Sequence, residues 1–223
     1  AHAAVESDAE PALLFILEKV PDLMYCVDNE DRTIAHVAAV EEGNENMLRH
    51  ILKQAPDLIH RVDNEGRNLV HTVVEKGTQG ILLSIFRQTP ALMQDTDNED
   101  GGLVFKLARL GWHDALEWLL NSAPDLIHRV DNEGKTVAHV AAEKGTKFML
   151  SFILEKAPDL IHRVDNEGKT VAHVATESNT KSVLLFIFEK APDLIHRVDN
   201  EGRNLVHIAV EKGTQGILLS IFR

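Results

Sequence analysis

Apolar residues recur along the chain in a pattern that repeats about every 34 positions. Counted back from the proline that follows each helical segment, the fourth, fifth, eighth and ninth residues are apolar in every complete unit. Offsets of one, four and five residues place side chains on one stripe of a helix. Each unit is therefore predicted to contain a helix whose apolar stripe is buried against a neighbouring unit.

The unit that starts at Pro158 indicates the remaining elements. Asp165 to Gly168 has the composition of a reverse turn, with aspartate at its start and glycine at its end. Thr170 is a typical N-cap residue, which predicts a short helix from Val171 to about Glu177. A second helix then follows to about Lys190. The breaker-rich segment is too long for tetratricopeptide repeats, although these have the same period.

The aspartate that opens the turn marks the repeat six times. It recurs at Asp28, Asp63, Asp97, Asp131, Asp165 and Asp199. Residues 55–87 and 191–223 are identical except at Thr72/Ile208 and Val73/Ala209. No single unit can bury its apolar stripe alone, so the repetition predicts a stacked array.

The segment DNEGKTVAHVAAEKG at 131–145 resembles the ankyrin repeat pattern D-x-x-G-x-T-P-L-H-x-A-A-x-x-G, with Val137 and Ala138 in place of proline and leucine. The resemblance extends over the whole chain. It implies an all-α ankyrin-repeat α-solenoid with short β-turn or hairpin arms between helix pairs. The expected units are 1–20, 21–55, 56–89, 90–123, 124–157, 158–191 and 192–223. Neither end carries a polar cap, so we expect a single array, 1–223, that is a fragment of a longer chain.

Charge and cysteine content narrow the classes of partner. The formal charge is −12, which argues against a nucleic-acid or anionic-membrane binder because both need a cationic surface. The acidic excess lies in the first, second and fourth units, so a charge-steered partner is expected there. No apolar run is long enough to cross a bilayer. The single cysteine excludes an internal disulfide and is compatible with a cytoplasmic or intracellular location, which includes secretion into a host cytosol.

Two series of histidines that recur with the repeat could be interpreted as metal ligands, but the distance between repeats argues against this interpretation. Ligands of one zinc ion lie a little over about 3 Å apart, whereas packed helices lie about 8–10 Å apart. The resemblance implies a structural hydrogen-bonding role for the first series: His2, His36, His71, His139, His173 and His207. No phosphate-loop, dinucleotide, zinc-protease or serine-hydrolase motif occurs. We therefore predict no catalytic residue, metal or cofactor, and no enzyme activity.

The turn arms form the first candidate binding surface, the one that ankyrin proteins usually employ. Each regular arm carries an arginine before the turn and a base after Asn-Glu: Arg129 and Lys135 in one unit, Arg163 and Lys169 in the next. One interpretation is a charged ladder that binds an extended partner. The other is recent duplication without diversification, because near-identical blocks repeat any surface they contain.

The second helices form the other candidate surface. Positions six and seven before each proline are expected to face solvent, yet Trp118, Phe152 and Phe186 occupy them. Exposed apolar patches mark interfaces. The alternative is partial burial between adjacent second helices.

The divergent repeats supply two further candidates. Trp112 lies where four other units have threonine, and tryptophan is enriched among binding hot spots. It could instead fill space left by the irregular turn at Asp100–Gly102. Tyr25 marks the second divergent unit.

These observations predict a protein–protein interaction module, a scaffold or adaptor, whose partner the sequence does not identify. One alternative is the targeting or regulatory arm of a larger protein, since near-identical ankyrin units are similar to those in effectors or toxins of intracellular bacteria and symbionts. The other is structural self-association through the apolar strip on the second helices.

Overall fold

A computed structural model describes residues 10–40, 44–76, 79–88 and 102–219 of the chain. It divides the chain into two compact units, residues 1–96 and 97–223. The first unit contains α1 (Glu10–Lys19), α2 (Ile34–Val40), α3 (Glu45–Gln54), α4 (Leu69–Lys76) and α5 (Gln79–Gln88). The second contains α6 (Leu103–Leu110), α7 (His113–Ser122), α8 (Val137–Glu143), α9 (Lys147–Lys156), α10 (Val171–Glu177), α11 (Lys181–Lys190), α12 (Leu205–Glu211) and α13 (Gln215–Leu218).

Helix pairs stack in sequence order within each unit. In the first unit, α2 packs on α4 and α3 packs on α5. In the second unit, α6, α8, α10 and α12 pack successively, and α9 packs on α11. The shorter first helices therefore form one layer and the longer second helices another. This arrangement confirms the predicted all-α repeat fold.

The core consists of the predicted stripe of the second helices together with the first helices. The stripe residues of α7, α9 and α11 are fully buried at Leu116, Leu119, Leu150, Ile153, Leu184 and Ile187. The first helix α8 contributes Val137, Ala138 and Ala141, all at 0% exposure. Small alanine side chains allow neighbouring helices to approach closely.

The stripe prediction is wrong at Ala12 and Ile16 in α1, which are both exposed. Ile16 is 42% exposed, whereas Leu13 and Leu17 are fully buried. The inner face of α1 is therefore formed by these two leucines, and Ile16 lies beside it.

A short 3-10 helix follows five of the second helices, α1, α3, α7, α9 and α11, where the sequence indicated only an irregular arm. These segments are Pro21–Tyr25, Pro56–His60, Pro124–His128, Pro158–His162 and Pro192–His196. Proline suits the first position of a helix because its φ is fixed and its missing N–H would be unpaired there. Leu160 is 1% exposed and Ile161 is 6% exposed, so this segment closes the core at the end of α9.

The buried His139 connects neighbouring repeats. The backbone N–H of Thr136 donates to His139 Nδ1 at 3.2 Å, and Thr136 Oγ1 lies 2.8 Å from the same atom. Because Nδ1 accepts, the ring proton lies on Nε2, which donates to the Lys169 carbonyl at 3.1 Å in the next arm. The structural hydrogen-bonding role is thereby confirmed for His139.

We expect the chain to lose stability as the pH falls through about 6.5, the pKa of an unperturbed histidine. Burial lowers the pKa of His36, His139 and His173, and hydrogen bonds offset only part of this effect. The unfolded chain therefore binds more protons than the folded chain between the two pKa values. The stabilisation is complete above about pH 7 and declines below about 6.5. Urea unfolding at about pH 7.5, 6.0 and 5.0 measures it, and an unchanged midpoint would contradict the expectation.

Candidate partner-binding groove

A DNEG turn closes each described arm of the compact unit 97–223, at 131–134, 165–168 and 199–202. In the central arm, the N–H of Gly168 donates to the Asp165 carbonyl, and the N–H of Asp165 donates to the Lys169 carbonyl, both at 3.0 Å. Gly168 has a φ of +77°, a left-handed conformation that suits glycine. The Asp165 carboxylate accepts the N–H groups of Glu167 and Lys169 at 2.9 Å. The predicted turn is confirmed as a three-residue hairpin loop.

Consecutive arms are hydrogen-bonded to each other at their tips. The N–H of Asn166 donates to the Glu133 carbonyl at 2.9 Å, and its Nδ2 donates to the Asn132 carbonyl at 3.1 Å. Asn200 makes the same two bonds to the Glu167 and Asn166 carbonyls. The arms therefore present equivalent side chains at a fixed repeat spacing.

Each arm holds its base between two glutamates, one in the turn and one at the end of the following first helix. We call these groups the charged rungs. They are Glu133–Lys135–Glu143, Glu167–Lys169–Glu177 and Glu201–Arg203–Glu211. Lys169 Nζ lies 2.7 Å from Glu167 Oε2 and 2.9 Å from Glu177 Oε1. Arg203 Nη1 lies 3.2 Å from a carboxylate oxygen of each of its glutamates.

The base of each rung is enclosed and its turn glutamate is exposed. The Lys169 side chain is 13% exposed, whereas the Glu167 side chain is 69% exposed. Burial acts to lower the pKa of Lys169, but the bonds to Glu167 and Glu177 outweigh it and raise the pKa well above its ordinary value. The same causes raise the pKa of Lys135. The bases thus remain charged, and carboxylates form the outer surface.

Two rungs and the arms between them line a groove of about 440 Å³. Its wall also includes Asn132, Asn166, Val174 and Ser178. Among the described residues, no group of three or more histidine, cysteine or acidic side chains is arranged to hold a metal ion. The groove can accept hydrogen bonds and pair with cations.

The structure separates the four predicted bases. Lys135 and Lys169 line the groove, where both are paired within their own rungs. Arg129 and Arg163 are exposed, and neither belongs to the groove lining. The sequence pattern did not lead us to the helix glutamates of the rungs, Glu143, Glu177 and Glu211. The pattern that could have identified them is their position eight residues after each base.

The predicted aromatic strip of the second helices is only partly exposed. Trp118 and Phe152 are half-buried, and Phe186 is 6% exposed, contrary to the exposure expected from its position. The Nζ atoms of Lys147 and Lys190 lie 5.5 and 6.0 Å from the Phe186 ring centroid. The ring also lines a second groove, of about 620 Å³, between α9 and α11.

Phe148 is the most exposed aromatic residue near this strip and was not predicted. It is 72% exposed, and its ring lies 4.3 Å from that of His113, centroid to centroid. The available signal was a phenylalanine at a position that is polar, glycine or proline in the other units.

Neither Trp112 nor Tyr25 lines the charged groove. Trp112 is half-buried directly before α7, and its N–H donates to the Leu107 carbonyl at 3.0 Å. Asp100 and Gly101 of the irregular turn lie outside the described residues. Tyr25 belongs to the compact unit formed by residues 1–96, where its exposed hydroxyl donates to Asp57 Oδ1 at 3.0 Å. Partner binding by either residue stays a prediction.

Comparisons with known proteins agree with this architecture. Residues 104–197 match a family model described as ankyrin repeats (3 copies). The ankyrin repeat domain of Bcl-3, described as a unique member of the IkappaB protein family, superposes with a TM-score of 0.70. That alignment covers 97% of this chain and 96% of the Bcl-3 domain at 16% identity, so it shows the fold alone. A search of curated protein sequences finds no significant match.

In the described part of the chain, no helix is long and apolar enough to span a membrane.

Proposed function

The chain belongs to the ankyrin-repeat family, and from this premise we propose that it is a non-enzymatic protein–protein interaction module, a scaffold or adaptor. Ankyrin repeats are generally modules of this kind. The charged groove of the second unit is the proposed binding surface. The observation that carries this proposal is the groove itself, an open cleft lined by charged rungs of two consecutive repeats.

The arms are preorganised for binding. Their turns are closed by backbone hydrogen bonds, and their tips are joined to the neighbouring arms. Side chains held in place before binding lose less conformational entropy when a partner arrives. The groove also offers carboxylate and amide groups at its open side, where a partner can reach them.

Site-specific photo-crosslinking tests the surface. A crosslinking amino acid at Glu167 in the groove is expected to capture a partner from lysate, and excess unlabelled chain should compete. The control positions are Glu155 and Glu189, exposed on the second helices. Crosslinks that form only from the control positions would contradict the proposal.

Self-association through the second helices is a second candidate, favoured by the exposed Phe148 ring. Sedimentation at several concentrations detects it, and the variant Phe148→Ser should then lower the association constant. If the chain stays monomeric up to about 0.5 mM, any self-association is weaker than an ordinary specific interaction. That result would contradict this candidate function. A role as the arm of an effector or toxin remains a prediction from the near-identical repeats.

A further inference from the structure

We infer that the charged groove binds an extended segment in the polyproline II conformation that carries a basic side chain at every third residue. This inference rests on the proposed function of the groove and adds the chemistry of its partner. Three properties of the described residues support it: the sign of the exposed charge, the spacing of the rungs and the rigidity of the arms.

The sign of the exposed charge follows from which side chains of each rung are buried and which are exposed. The bases have exposed fractions of only 23%, 13% and 24% at Lys135, Lys169 and Arg203. The turn glutamates of the same rungs are 69–71% exposed. An approaching side chain therefore meets carboxylates first, and each rung has two glutamates for one base. A cationic side chain complements this surface.

Among the three helix glutamates of the rungs, Glu143 is the least tightly paired with its base. Glu143 Oε2 lies 3.7 Å from Lys135 Nζ, whereas Glu177 Oε1 lies 2.9 Å from Lys169 Nζ. The Glu143 side chain is 42% exposed. A partner cation can pair with Glu143 with less disturbance of its rung than at Glu177.

The spacing of the rungs selects the partner's conformation. Packed helices lie about 8–10 Å apart, so equivalent carboxylates recur at about that distance. A polyproline II helix has three residues per turn and a rise of about 3.1 Å, so every third side chain returns to one face after about 9 Å. In a β-strand, by contrast, residues three apart point to opposite faces. Of these two extended conformations, only the polyproline II helix places every third side chain on one face at the spacing of the rungs.

The arms also restrict the register. Asn166 and Asn200 each make two hydrogen bonds to the preceding arm, which fixes adjacent rungs relative to one another. A surface with fixed spacing discriminates between partners of equal charge but different spacing. Simple electrostatic attraction would not discriminate.

Two synthetic peptides of identical composition test the inference on the full chain. The first repeats Lys-Pro-Pro three times, and the second contains the same nine residues with its lysines separated by two and by four positions. At about 50 mM salt, the first peptide should bind about tenfold more tightly, since two exposed ion pairs are each worth up to about a factor of five. Isothermal titration calorimetry measures both affinities. Higher salt should weaken both.

Matched variants locate the site. The double variant Glu143→Gln with Glu177→Gln should weaken binding of the first peptide by about tenfold. Glu155→Gln with Glu189→Gln changes the net charge equally on the second helices and should have little effect. Circular dichroism melts show whether each variant is folded, and a single Glu143→Gln variant serves if the double variant is not.

Equal affinity for the two peptides would overturn the inference, because charge without register would then explain binding. Equal losses in both double variants would overturn it as well. If neither peptide binds while Glu167 still crosslinks a partner, the partner chemistry is wrong and the proposed function stands. If crosslinking at Glu167 also fails, both are wrong.

Discussion

Replacing Gly168 by alanine is expected to destabilise the protein by about 3–4 kcal/mol, and the same change at Gly202 by only about 1–2 kcal/mol. Both glycines close a DNEG turn with nearly the same backbone, at φ values of +77° and +74°. The left-handed conformation alone costs an alanine about 1–2 kcal/mol at either position. The difference between the variants comes from what surrounds them.

A Cβ at Gly168 collides with the next arm. It would lie 2.9 Å from the backbone nitrogen of Asn200 and would run into the Asn200 side-chain oxygen. At Gly202 a Cβ meets no described atom within 4 Å. Moving Asn200 away breaks its bonds to the Glu167 and Asn166 carbonyls, each worth about 1 kcal/mol.

Urea unfolding followed by circular dichroism compares the two glycine variants directly. Gly134→Ala should behave like Gly168→Ala, since its Cβ would lie 2.9 Å from the backbone nitrogen of Asn166. Equal losses at Gly168 and Gly202 would mean that contacts between arms contribute nothing to stability.

Local chemistry made much of the fold predictable. The bounds of α10, Val171–Glu177, agree with the prediction because a threonine N-cap and an apolar period determine them within one short segment. The turn at Asp165–Gly168 was predictable because aspartate and glycine each have one physical role there. The 3-10 segments were not, since proline, aspartate and leucine are also compatible with irregular backbone.

The sign of the exposed charge at the candidate site was not predictable from the sequence of the arm alone. Asn-Glu followed by a base suggested that Lys135 and Lys169 face a partner. Their charges are instead compensated by Glu143 and Glu177, which lie on the following helix. Only the folded arm brings residues eight positions apart around one ammonium group.

Burial is set by position in the stack as well as by residue type. The two 33-residue blocks that differ at two positions show this most clearly. Val70 is 1% exposed and its equivalent Val206 is 48% exposed; Val74 is 7% exposed and Val210 is 60% exposed. Identical segments thus have different surroundings, which periodicity in the sequence does not distinguish.

The capping histidines provide a second pair of equivalent residues with unequal surroundings. His139 is fully buried and bonds to both Thr136 and the Lys169 carbonyl. His207 occupies the equivalent place in α12, where it contacts Asn204 but is exposed. Removing the two rings should therefore have different consequences for stability.

We expect His139→Ala to cost about 3 kcal/mol, because it leaves a cavity and removes the partner of the Thr136 N–H and the Lys169 carbonyl. His207→Ala should cost about 0.5–1 kcal/mol, the value of a helix cap at the surface. Urea unfolding at about pH 7.5 measures both, and equal losses would contradict the connecting role of His139. The first variant also tests the effect of acid. Since His139 is buried in its neutral form, His139→Ala should reduce the loss of stability between about pH 7 and 5.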